Sequence, residues 1–229
     1  TYHSSQKLKR VFKLIPQKKL KNYDIKILIS DDNSKDNSFD YAKEIYKRNK
    51  KIFIKKNKER LNYGGNIKSC LYFAHKKKCD YAIMLHGDGQ YDPKYIPALI
   101  KKISDGKCVA VHGSRMKVKK NAIKGKMPLY KFLGNIVLTY IFNKIYSTNF
   151  SDCHSGYWIY DLKYINKNFY NSLTNSINFD NQLRIKMIKK SLIIKELPIR
   201  TIYSDEKKSF HIVYAIKFLI EIFLKKIFK

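Results

Sequence analysis

With 229 residues, of which 44% are hydrophobic and 14% aromatic, the chain can bury the core of one α/β domain with a C-terminal appendage, and its composition argues against intrinsic disorder. Its 48 Lys and Arg against 18 Asp and Glu give a net charge of +30, which favours nucleic acid, an acidic membrane surface or phosphorylated substrates as partners. Lysines occur on nearly every predicted surface. A compositional bias toward Lys, Asn and Ile therefore explains most of this charge, and membrane attraction some of it.

In the N-terminal half, short apolar runs alternate with helical patterns. Strands are predicted at 25–30, 51–55, 81–85 and 108–112, and helices at 37–49, 65–77 and from Pro93 onward. This alternation predicts an α/β fold with a mostly parallel sheet and helices on both faces. Ligands of such a sheet bind at the carboxyl ends of its strands, where the polar clusters of this half fall.

The C-terminal half is less regular. Helices are predicted at 129–146 and 179–190, and extended segments at 156–160, 192–197 and 199–203.

The terminal segment 210–229 carries charges at every fourth position, which leaves one narrow polar stripe on an otherwise apolar helix. These charges are Lys217, Glu221, Lys225 and Lys229. Packing on the rest of the chain and lying flat in a membrane interface fit this pattern equally well. We therefore divide the chain into a domain at 1–205 and an amphipathic helix at 206–229.

The cysteines are widely scattered, with no CxxC pair and no Cys/His cluster at zinc-site spacing. They are Cys70, Cys79, Cys108 and Cys153. Buried free thiols in a reducing cytoplasm are the expectation. Neither a signal-peptide pattern nor an uninterrupted apolar run of membrane-spanning length is visible.

The strongest polar cluster is LHGDGQYDP at 85–93, directly after a predicted strand. A carboxylate in such a loop can hold a divalent cation, which neutralises the charge of a departing pyrophosphate. Asp88 is the natural ligand, with His86 and Gln90 as neighbours at alternate positions. The flanking glycines let backbone and phosphate approach closely. HGDG alone favours a plain Gly/Asp turn.

The second polar cluster is SDDNSKDNS at 30–38, which also follows a predicted strand. Asp31 and Asp32 can accept hydrogen bonds from a nucleobase and a ribose hydroxyl. The same segment can form an Asx-rich turn that caps the next helix. Both interpretations can hold together, with Asp36 or Asn37 as the cap.

Together the two clusters resemble family 2 glycosyltransferases. SDDNSKDNS is similar to that family's DDGSTDGT nucleotide loop, and HGDGQYDP is similar to its DADGQHDP metal loop as dolichyl-phosphate mannosyltransferases carry it. Further similar segments follow in the family's order: NYGGN at 62–66, GSR at 113–115, SDCHSGY at 151–157, FD at 179–180, ELP at 196–198 and RTIYSDEKK at 200–208. The resemblance covers almost the whole chain and implies a GT-A type nucleotide-binding sheet.

The resemblance also implies roles for individual residues. The nucleotide is expected to contact Asp31, Asp32, Gly65 and Asn66. A divalent cation, Mg²⁺ or Mn²⁺, is expected to contact His86, Asp88 and Gln90. The acceptor is expected to contact Arg115, Ser155, Gly156 and Asp180, and catalysis to depend on Asp88, Arg115 and Asp152. The planar fork of Arg115 would suit the oxygens of an acceptor phosphate or a donor pyrophosphate.

Three departures from the family pattern matter. His86 replaces the first carboxylate of the metal loop, and imidazole suits Mn²⁺ at least as well as Mg²⁺. Trp158 follows SGY where the family has a basic residue, so it is expected to be a core or acceptor-wall aromatic. The family's N-terminal strand is mostly absent. We expect that strand between those at 25–30 and 81–85, and hence a natural chain that begins before Thr1.

The activity implied by the resemblance is inverting transfer of a hexose from a nucleotide-diphosphate sugar. A lipid phosphate acceptor, with a second pKa of about 6, needs no base, whereas a hydroxyl would need one such as Asp152 or Asp180. Gln182 stands where the family has a carboxylate, which favours a polyprenyl phosphate. The expected setting is the cytoplasmic face of a membrane, in peripheral contact. The alternatives are transfer to a saccharide hydroxyl in cell-envelope polysaccharide synthesis and a non-catalytic membrane-surface binding protein. No nucleic-acid-binding signature is present.

Overall fold

The computed structural model describes residues 1–3, 5–47, 51–203 and 212–227, in which six strands and nine α-helices occur. The strands are β1 (Ile27–Asp31), β2 (Ile52–Lys56), β3 (Tyr81–Met84), β4 (Ala110–Ser114), β5 (Trp158–Asp161) and β6 (Ile194–Pro198). The helices are α1 (Ser5–Lys13), α2 (Ser38–Tyr46), α3 (Asn62–Lys76), α4 (Ile96–Ile103), α5 (Lys119–Lys124), α6 (Leu129–Tyr146), α7 (Lys167–Tyr170), α8 (Phe179–Lys189) and α9 (Ile212–Ile227).

Four strands form one sheet in the order β3-β5-β4-β6, and β1 pairs with β2 in a parallel pair. In the larger sheet β4 and β6 are parallel, and β5 runs antiparallel to both β3 and β4. Three of its four strands therefore point the same way, as expected for a mostly parallel sheet, although two of its three neighbouring pairs are antiparallel. The reversed orientation of β5 carries no signal in the sequence.

Helices cover both faces of the larger sheet, as predicted. Alternate side chains of β5 point to opposite sides. Trp158 and Tyr160 pack in a cluster with Leu71 of α3, whereas Ile159 packs in a second cluster with Leu99 of α4. All five side chains are completely buried.

Thr1 lies beside β1, at the edge that faces away from β2. Its terminal nitrogen donates to the carbonyl of Ser30, and the amide of Asp32 donates to the carbonyl of Thr1 over 2.9 Å, as in a parallel strand pair. Its side chain also fills the space that a Cβ on Gly87, just after β3, would need. Thr1 thus lies where the additional strand is expected, and that strand stays a prediction.

Several element bounds differ from the sequence-based ones. The helix expected from Pro93 opens with a 3₁₀ turn, and the side chain of Asp92 caps this turn by accepting from the amide of Lys94 over 2.9 Å. The strand expected at 199–203 does not form, since beyond β6 only Thr201 makes an isolated bridge, to Tyr91. Of the expected RTIYSDEKK segment, residues 204–208 lie outside the described part of the chain.

The amphipathic helix α9 packs on the domain through Phe218 and Ile222, which share a buried cluster with α6. The hydroxyl of Tyr146 donates to the carbonyl of Ile222 over 2.9 Å, and Glu221 accepts a hydrogen bond from Gln182. Packing on the domain is therefore observed, and an interfacial role for the opposite face stays a prediction. Among the described helices, none combines the length and apolarity that crossing a bilayer requires.

All four cysteines are free thiols. Cys108 and Cys153 are buried as predicted, whereas Cys70 and Cys79 are partly exposed.

Phe218→Ala is expected to lower the free energy of unfolding by roughly 3–5 kcal/mol, because it leaves a cavity in a closed cluster. Phe223 lies in the same helix but is 51% exposed, against 0% for Phe218. Phe223→Ala is therefore the matched control and should cost less than about 1 kcal/mol. Urea unfolding measures both variants, and equal losses would contradict the packing of α9 on the domain.

Candidate active site

The carboxyl end of β1 carries buried carboxylates that hold the following loop. Asp31 accepts from the amide and the hydroxyl of Ser34 over 3.0 and 2.5 Å. Asp32 accepts from the side-chain amide of Asn57 over 2.9 Å and from the amide of Leu61 over 2.8 Å. Both aspartates are thus turn-forming residues at a strand end, where a nucleotide would bind.

Asn66 joins this group through its side-chain oxygen, which accepts from the hydroxyl of Ser30 over 2.7 Å and from the side-chain amide of Asn57 over 3.0 Å. The structure therefore brings three of the four expected nucleotide residues together. Asn57 was missed by the sequence analysis. Its position directly after β2 was the available signal.

Gly65 lies in the first turn of α3, where close packing accounts for it. The amides of Gly64 and Gly65 both donate to the carbonyl of Asn175, over 2.8 and 3.3 Å. A Cβ on Gly65 would lie 2.9 Å from the Cβ of Leu61. The amide of Gly65 is thus already bonded, and a nucleotide contact through it would have to displace Asn175.

The metal-loop residues follow β3, and a turn organises them. One carboxylate oxygen of Asp88 accepts from the amide of Gln90 over 3.0 Å. Gly89 adopts φ +74°, which favours glycine at that position. Asp36, in the loop that follows β1, caps α2 by accepting from the amide and hydroxyl of Ser38 over 3.1 and 2.6 Å.

His86 and Asp180 are connected by a residue that the sequence analysis missed. The hydroxyl of Tyr63 donates to Oδ2 of Asp180 over 2.6 Å and lies 3.3 Å from Nε2 of His86. A Cβ on Gly156 would lie 2.8 Å from that Nε2 and 2.9 Å from the Tyr63 hydroxyl. Glycine at position 156 therefore allows the loop at 151–157, which we call the acceptor loop after its expected role, to approach the metal loop at 85–93.

Asp180 is a buried carboxylate whose Oδ1 has no hydrogen-bond partner within the described part of the chain. Burial raises the pKa of Asp180 to about 6, although the hydrogen bond from Tyr63 opposes this shift. A carboxyl group that titrates this close to neutral pH is suited to accept a proton in a reaction.

Arg115 and Asp152 form a buried, two-pronged ion pair. Nε of Arg115 donates to Oδ2 of Asp152 over 2.7 Å and Nη2 to Oδ1 over 2.8 Å, while Nη1 donates to the hydroxyl of Tyr203 over 3.0 Å. Arg115 is buried, so it is not a solvent-exposed surface charge. Guanidinium N–H groups of Arg115 that were expected to face phosphate donate to Asp152 instead.

Asp152 also accepts from the backbone amides of Arg115 and His154 and from the side-chain amide of Asn135 in α6. Burial alone would raise the pKa of Asp152, but the Arg115 guanidinium and these hydrogen bonds hold it well below its usual range. A base role for Asp152 is therefore disfavoured, because this carboxylate stays ionised and fully bonded.

The turn at Ser155 and Gly156 is held by buried aromatic residues. The amide of Gly156 donates to the hydroxyl of Tyr91 over 2.9 Å, and Nε1 of Trp158 donates to the carbonyl of Ser155 over 3.0 Å. Trp158 is a core residue, one of the two interpretations left open for it. The buried guanidinium of Arg184, a residue that sequence reasoning missed, lies 4.9 Å from the Trp158 ring and donates to the carbonyl of Cys153.

Glu196 links the acceptor loop to the sheet through hydrogen bonds. Its Oε1 accepts from the amide of Ser151 over 2.8 Å and lies 3.1 Å from Nε2 of His112 in β4. Burial would raise the pKa of Glu196, but the bonds from His112 and Ser151 lower it to about 2. The ELP segment of the sequence therefore supplies a structural anchor for the loop.

Residues 1–169 match the family described as Glycosyl transferase family 2. The chain is 29% identical over 201 residues to the UDP-N-acetylglucosamine–dolichyl-phosphate N-acetylglucosaminyltransferase of Methanococcus voltae, covering 80% of this chain and 77% of that protein. It is 27% identical over 205 residues to an uncharacterized protein of Methanocaldococcus jannaschii, covering 88% and 81% respectively.

Solved structures with the same fold include a mannosyltransferase from Pyrobaculum calidifontis in complex with GDP-Man and Mn²⁺. It superposes with a TM-score of 0.68 at 12% identity over all of this chain, which spans 62% of that structure's chain. The glucosyl-3-phosphoglycerate synthase of Mycobacterium tuberculosis with Mn²⁺, UDP and glucosyl-3-phosphoglycerate gives a TM-score of 0.64 at 10% identity, covering 99% and 77%. The fold is thus of the GT-A glycosyltransferase type.

Glu196→Gln is expected to lower the free energy of unfolding by about 3 kcal/mol at pH 7, because the native state favours the ionised carboxylate. This stabilisation is present above the unfolded-state pKa and is lost as the pH falls from about 4.5 toward 2. Urea unfolding between pH 3 and pH 7 should therefore show that the difference in free energy of unfolding between the unaltered chain and Glu196→Gln becomes smaller in acid. The exposed Glu44→Gln is the control, and a difference that does not depend on pH would refute the assignment.

Proposed function

Because the chain belongs to glycosyl transferase family 2, we propose that it is an inverting enzyme that transfers a hexose from a nucleotide-diphosphate sugar to a polyprenyl phosphate. The donor would bind at the carboxyl ends of β1 and β3, where Asp31, Asp32, Asn66 and Asp88 lie. The Methanococcus voltae relative, named for transfer from UDP-N-acetylglucosamine to dolichyl phosphate, supports this pairing of substrates.

The hydrogen bonding of Asp152 is the observation that supports a phosphate acceptor. This carboxylate receives five N–H donors, three of them from Arg115. It is therefore a poor acceptor for the proton of an attacking hydroxyl. A phosphate monoester is already largely ionised near neutral pH and needs positioning rather than deprotonation. The remaining N–H groups of Arg115 would be available to position its oxygens.

Transfer to a saccharide hydroxyl is the second candidate, and Asp180 is the specific observation in its favour. Its pKa of about 6 and its Oδ1, which no donor among the described residues contacts, are the properties that a general base needs. In that reaction Asp180 would take the hydroxyl proton as the acceptor oxygen attacks the anomeric carbon and the nucleoside diphosphate leaves.

A divalent cation fits the metal loop if the substrate completes its coordination. No group of three or more His, Cys, Asp or Glu side chains within the described residues could enclose an ion. Asp88 and His86 would hold Mn²⁺ or Mg²⁺ together with the diphosphate, an arrangement common for such ions, and Gln90 would assist. When bound, the cation would offset the negative charge of the leaving diphosphate. Tyr63 would fix the orientation of the His86 ring.

We further propose that the protein works in peripheral contact with the cytoplasmic face of a membrane, where a polyprenyl phosphate would be held. Its net charge of +30 would favour anionic lipid headgroups, and no nucleic acid is proposed as a partner. The terminal segment at 206–229, of which α9 is described, is the part for which the sequence predicts interfacial contact.

Asp88→Asn is expected to reduce transfer by well over tenfold, more than about 1.4 kcal/mol of barrier, because it removes the charged cation ligand. The reaction should also stop in EDTA and resume with Mn²⁺. In Asp88→Asn, Mn²⁺ binding in the presence of nucleoside diphosphate, measured by electron paramagnetic resonance, should also be weaker. Asp105→Asn, which changes an exposed carboxylate, is the control. Full activity of Asp88→Asn would rule out the metal assignment.

Asp180→Asn distinguishes the two acceptors, because general-base catalysis contributes about 10²–10⁴ in rate. With a polyprenyl phosphate acceptor, transfer should fall by less than about tenfold. With a hydroxyl acceptor it should fall by about 100-fold or more. A donor screen with polyprenyl phosphate and with saccharide acceptors measures both reactions. Transfer to a saccharide alone would reject the phosphate acceptor.

A further inference from the structure

The helix α6 presents an apolar face to solvent, which the sequence analysis did not predict. Six large side chains along its 18 residues are between 37% and 71% exposed. They are Leu129, Tyr130, Leu133, Ile136, Val137 and Tyr140. Because most of them are spaced three or four residues apart, they lie on one side of the helix. A contiguous exposed apolar face of this kind marks an interaction surface.

Charge decides which partner fits this face. Between Asp105 and Asp152 the sequence contains nine Lys or Arg and no Asp or Glu. Four of these residues are exposed lysines in and beside α5, directly ahead of α6. They are Lys119, Lys120, Lys124 and Lys126. A cluster of basic residues next to an apolar helix face is typical of a surface that binds anionic lipid.

A second copy of the chain fits this surface less well. A symmetric dimer through α6 would bring two lysine clusters of the same sign together, which is unfavourable. A bilayer with anionic headgroups supplies both an apolar layer for α6 and a negative surface for the lysines. Tyr130 and Tyr140 would suit the boundary between them, since tyrosine is enriched at membrane interfaces.

The inner side of α6 touches the candidate site. The side-chain amide of Asn135 donates to Asp152 over 2.8 Å, and the hydroxyl of Thr139 accepts from the amide of Cys153 over 3.1 Å. One helix therefore has an exposed apolar outer face and an inner face that contacts the acceptor loop.

We propose that the exposed face of α6, together with the lysines of α5, binds the surface of an anionic membrane. This proposal does not depend on which acceptor the enzyme uses, because lipid binding can be tested without any substrate. The helix α9 packs against α6 and adds exposed side chains of the same kind. These are Ile216, Ile220, Phe223 and Leu224.

The test is flotation of the full chain with phosphatidylcholine vesicles that contain or lack phosphatidylglycerol. The unaltered chain should float only with the anionic vesicles. The double variant Leu133→Glu, Val137→Glu should bind them at least about tenfold more weakly, because two charges enter the apolar face. The matched control is Tyr72→Glu, Ile193→Glu, which adds the same charge at half-exposed apolar positions outside α6 and should bind as before.

The lysines provide a second test of the proposal. Replacing all four lysines of the α5 cluster by glutamine should also weaken binding to anionic vesicles by about tenfold or more. Fluorescence of Trp158, the only tryptophan and completely buried, reports whether each variant keeps its core. If the α6 variant does not fold, Tyr140→Trp in the otherwise unaltered chain replaces it, and its emission should shift to the blue on addition of anionic vesicles.

Three results would overturn the proposal. The first is equal flotation of the α6 variant and its control, and the second is equal binding to neutral and anionic vesicles. The third is a chain that does not float but forms a dimer in analytical ultracentrifugation, which Leu133→Glu, Val137→Glu dissociates. That result would make this face an interface between copies.

Discussion

The buried ion pair of Arg115 and Asp152 is the interaction on which the candidate site depends. It joins the end of β4 to the acceptor loop, and Asn135 ties α6 to the same carboxylate. Removing one member of a buried pair typically costs 3–5 kcal/mol, because the other charge is left uncompensated. The pair therefore has to form if these three elements are to pack as they do. Glu196 reinforces the arrangement from the β6 side by accepting from Ser151.

Two aspartates near the acceptor loop are placed in opposite electrostatic environments. Asp152 is surrounded by donors and stays ionised, whereas Asp180 is desolvated and has Tyr63 as its one hydrogen-bond donor among the described residues. Carboxylates whose environments push their pKa values apart usually take different roles in an enzyme. Asp152 is suited to hold the structure, and Asp180 is suited to exchange a proton.

Much of the fold could be predicted from the sequence, because strand and helix periods are local properties of the chain. The direction of β5 could not, since Trp158, Ile159 and Tyr160 are buried on both faces and show no alternation of polarity. The same limit applies to the site. The sequence placed Asp31, Asp32 and Asp88 at strand ends correctly. It could not indicate that Arg115 faces Asp152, because that contact joins residues 37 positions apart. Tyr63 and Arg184 were missed for a related reason, because both lie in helices whose buried side is decided by packing.

The central position of β5 has a consequence for the order in which the protein folds during synthesis. β3 and β4 both precede α6 in the chain, yet each pairs with β5, which follows it. A nascent chain that ends before Trp158 therefore leaves the facing edges of β3 and β4 without the partner they have in the finished protein. Contacts this far apart in sequence form slowly, so the incomplete sheet is exposed to mispairing until β5 is made. The acceptor loop directly precedes β5, so we expect the candidate site to be assembled in the same late step that closes the sheet.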